Sequence, residues 1–286
     1  MKKILLLVLT VSLCLTLCSC ETILKKAKSM VTGEEVVAMP EDYIATLEND
    51  EYSYELYEDY VKVVKYLVED GNEIVDIPSE IDGKPVTTIG SLCFYDIKTA
   101  VTSVNIPDSV TVIEESAFYY CDKLTAITIP DSVTKIGSRA FAWCNSLESV
   151  TFGKSVDEIP DFCFNHCSSL VTVVIPESIS KIGVRAFSYC EILNEVDVSA
   201  NVSSIGERAF SGCAELKFVI FGDKEISIGE KMFENSDNVV VIAPDASNAK
   251  KYCEDNGLRW STSKDIEAVK LGTTEESSED SSSIVG

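Results

Sequence analysis

Histidine is nearly absent from this chain: 286 residues hold one, His166. A site built on several imidazoles is therefore excluded, and any Ser-His-Asp arrangement would have to centre on that residue. Cations are scarce too. Lys and Arg number 24 against 47 Asp and Glu, for a net charge of −23. Nucleic acid is a disfavoured partner, because its phosphates need Lys and Arg to replace their counterions. Direct docking on anionic lipid is disfavoured for the same reason. Proline (8) and glycine (14) are few, and no glycine run matches a phosphate-cradling loop. Carboxylates are abundant but scattered, and nothing marks a catalytic pair among them. The composition suits a solvated exterior and points away from an enzyme and from a bound cofactor.

Long apolar runs are confined to the start, MKKILLLVLTVSLCLTLCSCE. Lys2 and Lys3 form a basic lead, and Ile4 to Leu17 is short for a membrane span and fits the apolar part of a signal peptide. Leu17-Cys18-Ser19-Cys20 resembles the lipobox of bacterial lipoproteins. That resemblance implies removal of residues 1–19 and lipidation of Cys20, so that the protein meets the membrane only through its acyl chains. Each buried methylene contributes about 0.8 kcal/mol to such anchoring. Residues 20–45 are weakly patterned and read as a tether. Residues 261–286 are acidic and Ser-rich, cannot bury enough to offset their ordering entropy, and are expected to be disordered. One domain, 46–260, lies between.

That domain is periodic. Phe falls at 94, 118, 141, 164, 187, 210 and 233, and Cys at 121, 144, 167, 190 and 213. Ile falls at 113, 136, 159, 182, 205 and 228. The common step is 23 residues, and strand-like pieces such as Leu124-Thr-Ala-Ile-Thr-Ile129 and Leu170-Val-Thr-Val-Val-Ile175 keep the same phase. A unit this short cannot bury its own apolar side, but stacked units can, with strands of successive coils about 4.8 Å apart. Each Phe is then expected to sit over the Phe before it.

Of 11 Cys, three (Cys14, Cys18, Cys20) lie in the leader. In an exported protein the others would suggest disulfides. Their spacing argues against it, because stacked thiols point in parallel into a core rather than toward each other. The ladder is read as small buried space-fillers, a place that Ser236 takes at the end. Cys163-Phe-Asn-His-Cys167 superficially offers zinc ligands. The repeat explains it otherwise: Cys163 stands at an Ala place, Cys167 belongs to the ladder, and His166 fills a variable position. Gly follows Ile at 90, 137, 183, 206 and 229, but Glu114 and Pro160 hold that place elsewhere. Proline fixes φ near −65°, so close packing or a bend explains these glycines better than a positive φ.

The motif Ile129-Pro-Asp-Ser-Val-Thr-Lys-Ile-Gly-Ser-Arg-Ala-Phe-Ala-Trp-Cys144 resembles the leucine-rich repeat of BspA-like bacterial surface proteins. Ile77-Pro-Ser-Glu-Ile-Asp-Gly-Lys-Pro-Val-Thr-Thr-Ile-Gly90 resembles the first coil of that family, and Ala246 to Leu258 its terminal helix, with Asn256-Gly257 as a stop. The resemblance implies a β-rich leucine-rich-repeat solenoid of about seven coils with a short C-terminal cap helix. It also implies surface adhesion, with an extracellular protein or matrix component as partner. The repeat departs from its consensus where Ser199 and Gly153 replace Pro, Pro160 replaces Gly, and Cys93, Cys163 and Met232 replace Ala.

A frame of this kind carries its function on the outside. The outward strand positions form two rows: Ser103, Ala126, Ser149, Thr172, Glu195, Phe218, and Asn105, Thr128, Thr151, Val174, Asp197, Ile220. Glu195, Asp197, Phe218 and Ile220 are the candidate partner-binding face. A second candidate is a sugar-binding edge formed by Tyr119, Tyr120, Trp143 and Tyr189 at the bends before the Cys positions. A purely structural role in the envelope is the third.

Overall fold

The computed structural model describes residues 40–68, 74–95, 101–222, 224–244 and 247–262. The expected signal peptide, Cys20 and nearly all of the expected tether and tail lie outside the described residues. The chain divides into residues 1–43 and 44–286, and the solenoid lies in the second unit.

Among the described residues three strands come first: β1 (Tyr43–Glu48), β2 (Tyr52–Tyr57) and β3 (Val61–Tyr66). Asn49 turns the chain between the first two, its Oδ1 accepting from the amides of Glu51 (2.9 Å) and Tyr52 (2.7 Å). β2 and β3 pair antiparallel, and β3 pairs parallel with Lys84–Ile89 of the first coil. Tyr52, Tyr54, Val61 and Val63 are buried, and Tyr66 packs on Phe94 at 5.6 Å. This meander covers the open end of the stack, as repeat arrays require.

Each coil has three sides. The outward side carries strands of three residues, such as Ala126–Thr128 and Glu195–Asp197, and the second side carries strands of two, such as Lys135–Ile136 and Ser204–Ile205. Both sets pair parallel from coil to coil. Strands stay this short because Pro, which has no N–H, follows many outward strands, and a bend follows each second-side strand.

The third side is a run of turns bonded coil to coil: the amide of Phe118 donates to Ala140 O, Phe164 to Ala186 O and Phe187 to Ala209 O, each at 2.8 Å. Inside it the Phe rings form one column, with centroids 4.8 Å apart from Phe94 to Phe118 and 5.4 Å from Phe164 to Phe187, nearly parallel. The expected stack is therefore present.

The glycines after Ile are explained by crowding. A Cβ on Gly137 would come 2.3 Å from Glu115 N, and one on Gly206 2.4 Å from Val184 N. Positive φ falls elsewhere, mostly on residues with side chains. Ser116, Arg139, Phe162, Arg185, Arg208 and Lys231 have φ of 53–58°, and Tyr120, Trp143, His166 and Tyr189 of 60–65°. A left-handed side-chain residue costs roughly 1–2 kcal/mol, which the packing of neighbouring coils must offset.

All eight described Cys are free and buried. They do more than fill space. Each ladder Sγ donates to the Phe carbonyl of the preceding coil: Cys121 to Phe94 O, Cys144 to Phe118 O, Cys167 to Phe141 O and Cys213 to Phe187 O at 3.2 Å, and Cys190 to Phe164 O at 3.3 Å. Ser236 makes the same bond to Phe210 O at 2.8 Å. A small donor is what the position selects.

The far end is closed by α1 (Asn248–Asn256). Ser247 caps its start by accepting from Lys250 N, and Gly257, at φ 65°, ends it. Ala249 and Cys253 face the core, and Arg259–Ser261 then adds a last parallel strand beside Val240–Ile242.

Candidate functional site

The outward strands place the four predicted face residues together. Parallel pairing sets Glu195 beside Phe218 and Asp197 beside Ile220. Val196 and Val219 between them are fully buried, so strand alternation holds. Asp197 is exposed, while Glu195, Phe218 and Ile220 are half-buried. Glu195 and Phe218 both have interaction partners within the chain. The row continues from Ile220 to Ile242, which is only 6% exposed. Toward the other end the face is small and hydroxylated, with Val174 standing out at 72% exposure.

The aromatic edge is also assembled, and it contains a residue the sequence reading left out. Tyr120, Trp143, His166 and Tyr189 form one column, with centroid separations of 6.0, 3.9 and 4.5 Å. It ends on Gly212, where a Cβ would lie 2.7 Å from the Tyr189 ring. Tyr119 stands in the next row, stacked on Tyr95 at 5.8 Å and tilted against Tyr120. The common 23-residue step of positions 120, 143, 166 and 189 was the available signal for His166. Burial between two rings pushes its pKa below the usual imidazole range, partly offset by Glu191. Within the column the ring faces are turned to one another, so solvent meets mainly ring edges and the Tyr120 and Tyr189 rims, exposed by 45% and 43%. Sugars stack on free ring faces, and the middle of this column offers none.

A neighbouring row at the turns is charged. Arg139 and Arg185 lie over the two sides of Phe162, at 4.7 and 5.8 Å from its centroid. Arg208 pairs with Glu234 at 2.7 Å and with Glu207. The Arg139–Phe162, Phe162–Arg185 and Arg208–Glu234 contacts each join one coil to the next.

Cys163, His166 and Cys167 do not converge. Both thiols are fully buried, whereas the imidazole lies in the outer aromatic column. Among the described residues no group of three or more His, Cys, Asp or Glu could hold a metal ion. Burial pushes the Cys121, Cys163, Cys167 and Cys190 thiols well above their ordinary range and Cys213 up to about 12, the opposite of what a nucleophile needs.

Comparison with known proteins agrees with this geometry. The profile of the BspA-type leucine-rich repeat region matches residues 87–202 and 182–253. A leucine-rich repeat protein of T. pallidum superposes with a TM-score of 0.65 at 30% identity, over 76% of this chain and 98% of that one. A leucine-rich cell surface protein of Faecalibacterium prausnitzii gives 0.61 at 31% identity, over 73% of this chain and 56% of that one. A leucine-rich repeat protein of Eubacterium ventriosum gives 0.53 at 25% identity, over 65% and 50%. The chain thus spans about half the length of these last two. No curated protein matches it.

Proposed function

The chain belongs to the BspA-type leucine-rich repeat family, and from that premise we propose that it is a non-enzymatic, lipid-anchored cell-surface module whose solenoid binds an extracellular protein or matrix component. The observation that carries this reading is the division of labour in each coil. Phe, Cys, Leu and Ile at fixed steps are consumed by the core, while the outward strand face changes in composition along the stack. On that face Glu195, Asp197, Phe218 and Ile220 bring two carboxylates against two large apolar side chains in paired register. Aromatic and large apolar side chains anchor interaction hot spots, and charges around them set specificity and approach. The likeness to a cell surface protein of F. prausnitzii supports the location, as does the lipobox-like Leu17-Cys18-Ser19-Cys20.

Two experiments test this. The Phe218→Ser/Ile220→Ser double variant is expected to lose partner capture from matrix and cell-surface extracts by tenfold or more while still unfolding in one cooperative transition. Capture at the original level discards the face. Cys20→Ser is expected to abolish acyl labelling in the producing cell and shift the protein to the soluble fraction; a variant that stays labelled and membrane-bound removes the anchor. The aromatic edge supports a sugar ligand less well, since its ring faces are mutually occupied. Binding on a glycan array that Tyr120→Ala or Tyr189→Ala removes would reverse that order.

A further inference from the structure

Among the described residues, strand pairing between successive coils is interrupted at one interface. On the outward side the parallel ladder ends at Ser149–Thr151 and a separate sheet begins at Thr172–Val174. On the second side one sheet ends at Lys135–Ile136 and another begins at Glu158–Ile159. These gaps belong to a single surface. A cut through a solenoid at one point of its chain crosses one full turn. A cut at residues 152–157 separates Ile136 from Ile159, Phe141 from Phe164, and Thr151 from Val174. Strand pairing is missing at the first and third of these contacts.

Sequence and backbone supply the cause. On the second side two amides per coil normally bond backward. Thr134 donates to Thr111 O at 2.9 Å and Ser180 to Asp157 O at 2.8 Å, while Gly137 donates to Ile113 O at 2.8 Å and Gly183 to Ile159 O at 2.7 Å. In the coil between, no such bond runs from Asp157, and Pro160 has no N–H to give. Pro160 also carries a Cβ where a Cβ on its counterparts Gly137, Gly183 and Gly206 would lie 2.3–2.5 Å from the backbone of the preceding coil. Val150 is half-buried, whereas its counterparts Ile127, Val173 and Val196 are buried. The turn side stays closed: Phe141 N donates to Cys163 O at 2.9 Å, Trp143 N to Asn165 O at 2.8 Å, and Cys167 Sγ to Phe141 O at 3.2 Å. Where the turns meet the outward strand Val171 N still donates to Glu148 O, at 3.3 Å against 2.8 Å for Glu148 N to Thr125 O and 2.9 Å for Asn194 N to Val171 O.

We propose that this turn is a flexural joint. It divides the solenoid into two stiffer segments, one ending at Thr151 and one beginning at Glu158, that bend against each other about the still-bonded turn side. A stack in which each coil contacts only its neighbours transmits rigidity through every interface in series, so one under-bonded interface sets the softness of the whole. Bending there changes the alignment between the hydroxylated half of the outward face and the half bearing Glu195 and Phe218. The joint stands whether or not that face binds a partner.

Amide hydrogen exchange on the intact chain tests it. After correction for intrinsic rates, the Asp157 amide is expected to exchange at least tenfold faster than its counterparts Thr134 and Ser180. Pro160→Gly, which restores the residue found at the counterpart positions 137, 183 and 206, is expected to slow Asp157 at least threefold and to give residue 160 a protected amide. Pro160→Glu is the second variant, because Glu114 fills this place and still donates to Ile89 O at 2.9 Å. Equal protection of Asp157, Thr134 and Ser180 in the unmodified protein overturns the joint. So does an Asp157 rate that neither substitution changes.

Discussion

Phe187→Ala is expected to destabilise the domain by about 3–5 kcal/mol, the range for removing a large aromatic from a packed core. The ring is fully buried between Phe164 at 5.4 Å and Phe210 at 5.5 Å. Its loss leaves a cavity that both neighbours line, and the coil-to-coil bonds from Phe187 N to Ala209 O and from Cys213 Sγ to Phe187 O hold the backbone so that it cannot collapse to fill it. Coil stability is shared only with nearest neighbours, so the damage falls on two interfaces. The melting temperature should drop by on the order of 10 °C. Phe233→Ala should cost less: that ring ends the column, 6.1 Å from Phe210 and tilted by 23°. Urea denaturation of both variants decides the matter. A loss below about 1 kcal/mol at Phe187 is incompatible with a continuous ring column.

The second large effect is kinetic. Cys121, Cys190 and Cys213 are buried, donate to carbonyls, and have thiol pKa values pushed upward by burial. Cys144 shares the geometry, with its Sγ on Phe118 O. Alkylation needs an exposed thiolate, so in the native protein it must wait for a coil to open. Labelling of these residues is expected to run roughly a thousandfold slower in buffer than in denaturant, in keeping with opening free energies of several kcal/mol. Site-resolved mass spectrometry with a small maleimide reads the result. Rapid modification in buffer would mean that the thiols do not line an interior ladder.

Much of this arrangement was legible in the sequence because it repeats. Spacing alone gave the Phe column, the Cys ladder, the outward rows and their register, and Asn256-Gly257 marked the end of α1. Crowding at Gly137 and Gly206 followed from a single counter-example, Pro160, which ruled out a positive φ as the common reason. What does not repeat was harder to read. The β1–β3 meander belongs to no period, and its first strand begins at Tyr43, inside the stretch read as tether. The left-handed turns at Arg139, Trp143 and Arg185 were invisible because neighbouring coils, rather than local preference, impose them. Spacing showed that Cys121 and Cys144 stack, but not that each donates to the coil before it; Ser236 was the hint. The candidate face followed from alternation, yet the half-burial of Phe218 and Ile220 depends on neighbours that alternation does not name.

The left-handed turns carry a consequence for how such a chain can change over generations. A repeat whose bends are held by the repeats above and below has no shape of its own to contribute. A duplicated copy is therefore safe where it lands between two finished copies and unsafe at either terminus, where the meander and α1 are fitted to one particular neighbour. Length in this lineage should grow and shrink from the middle, with the two ends inherited as fixtures.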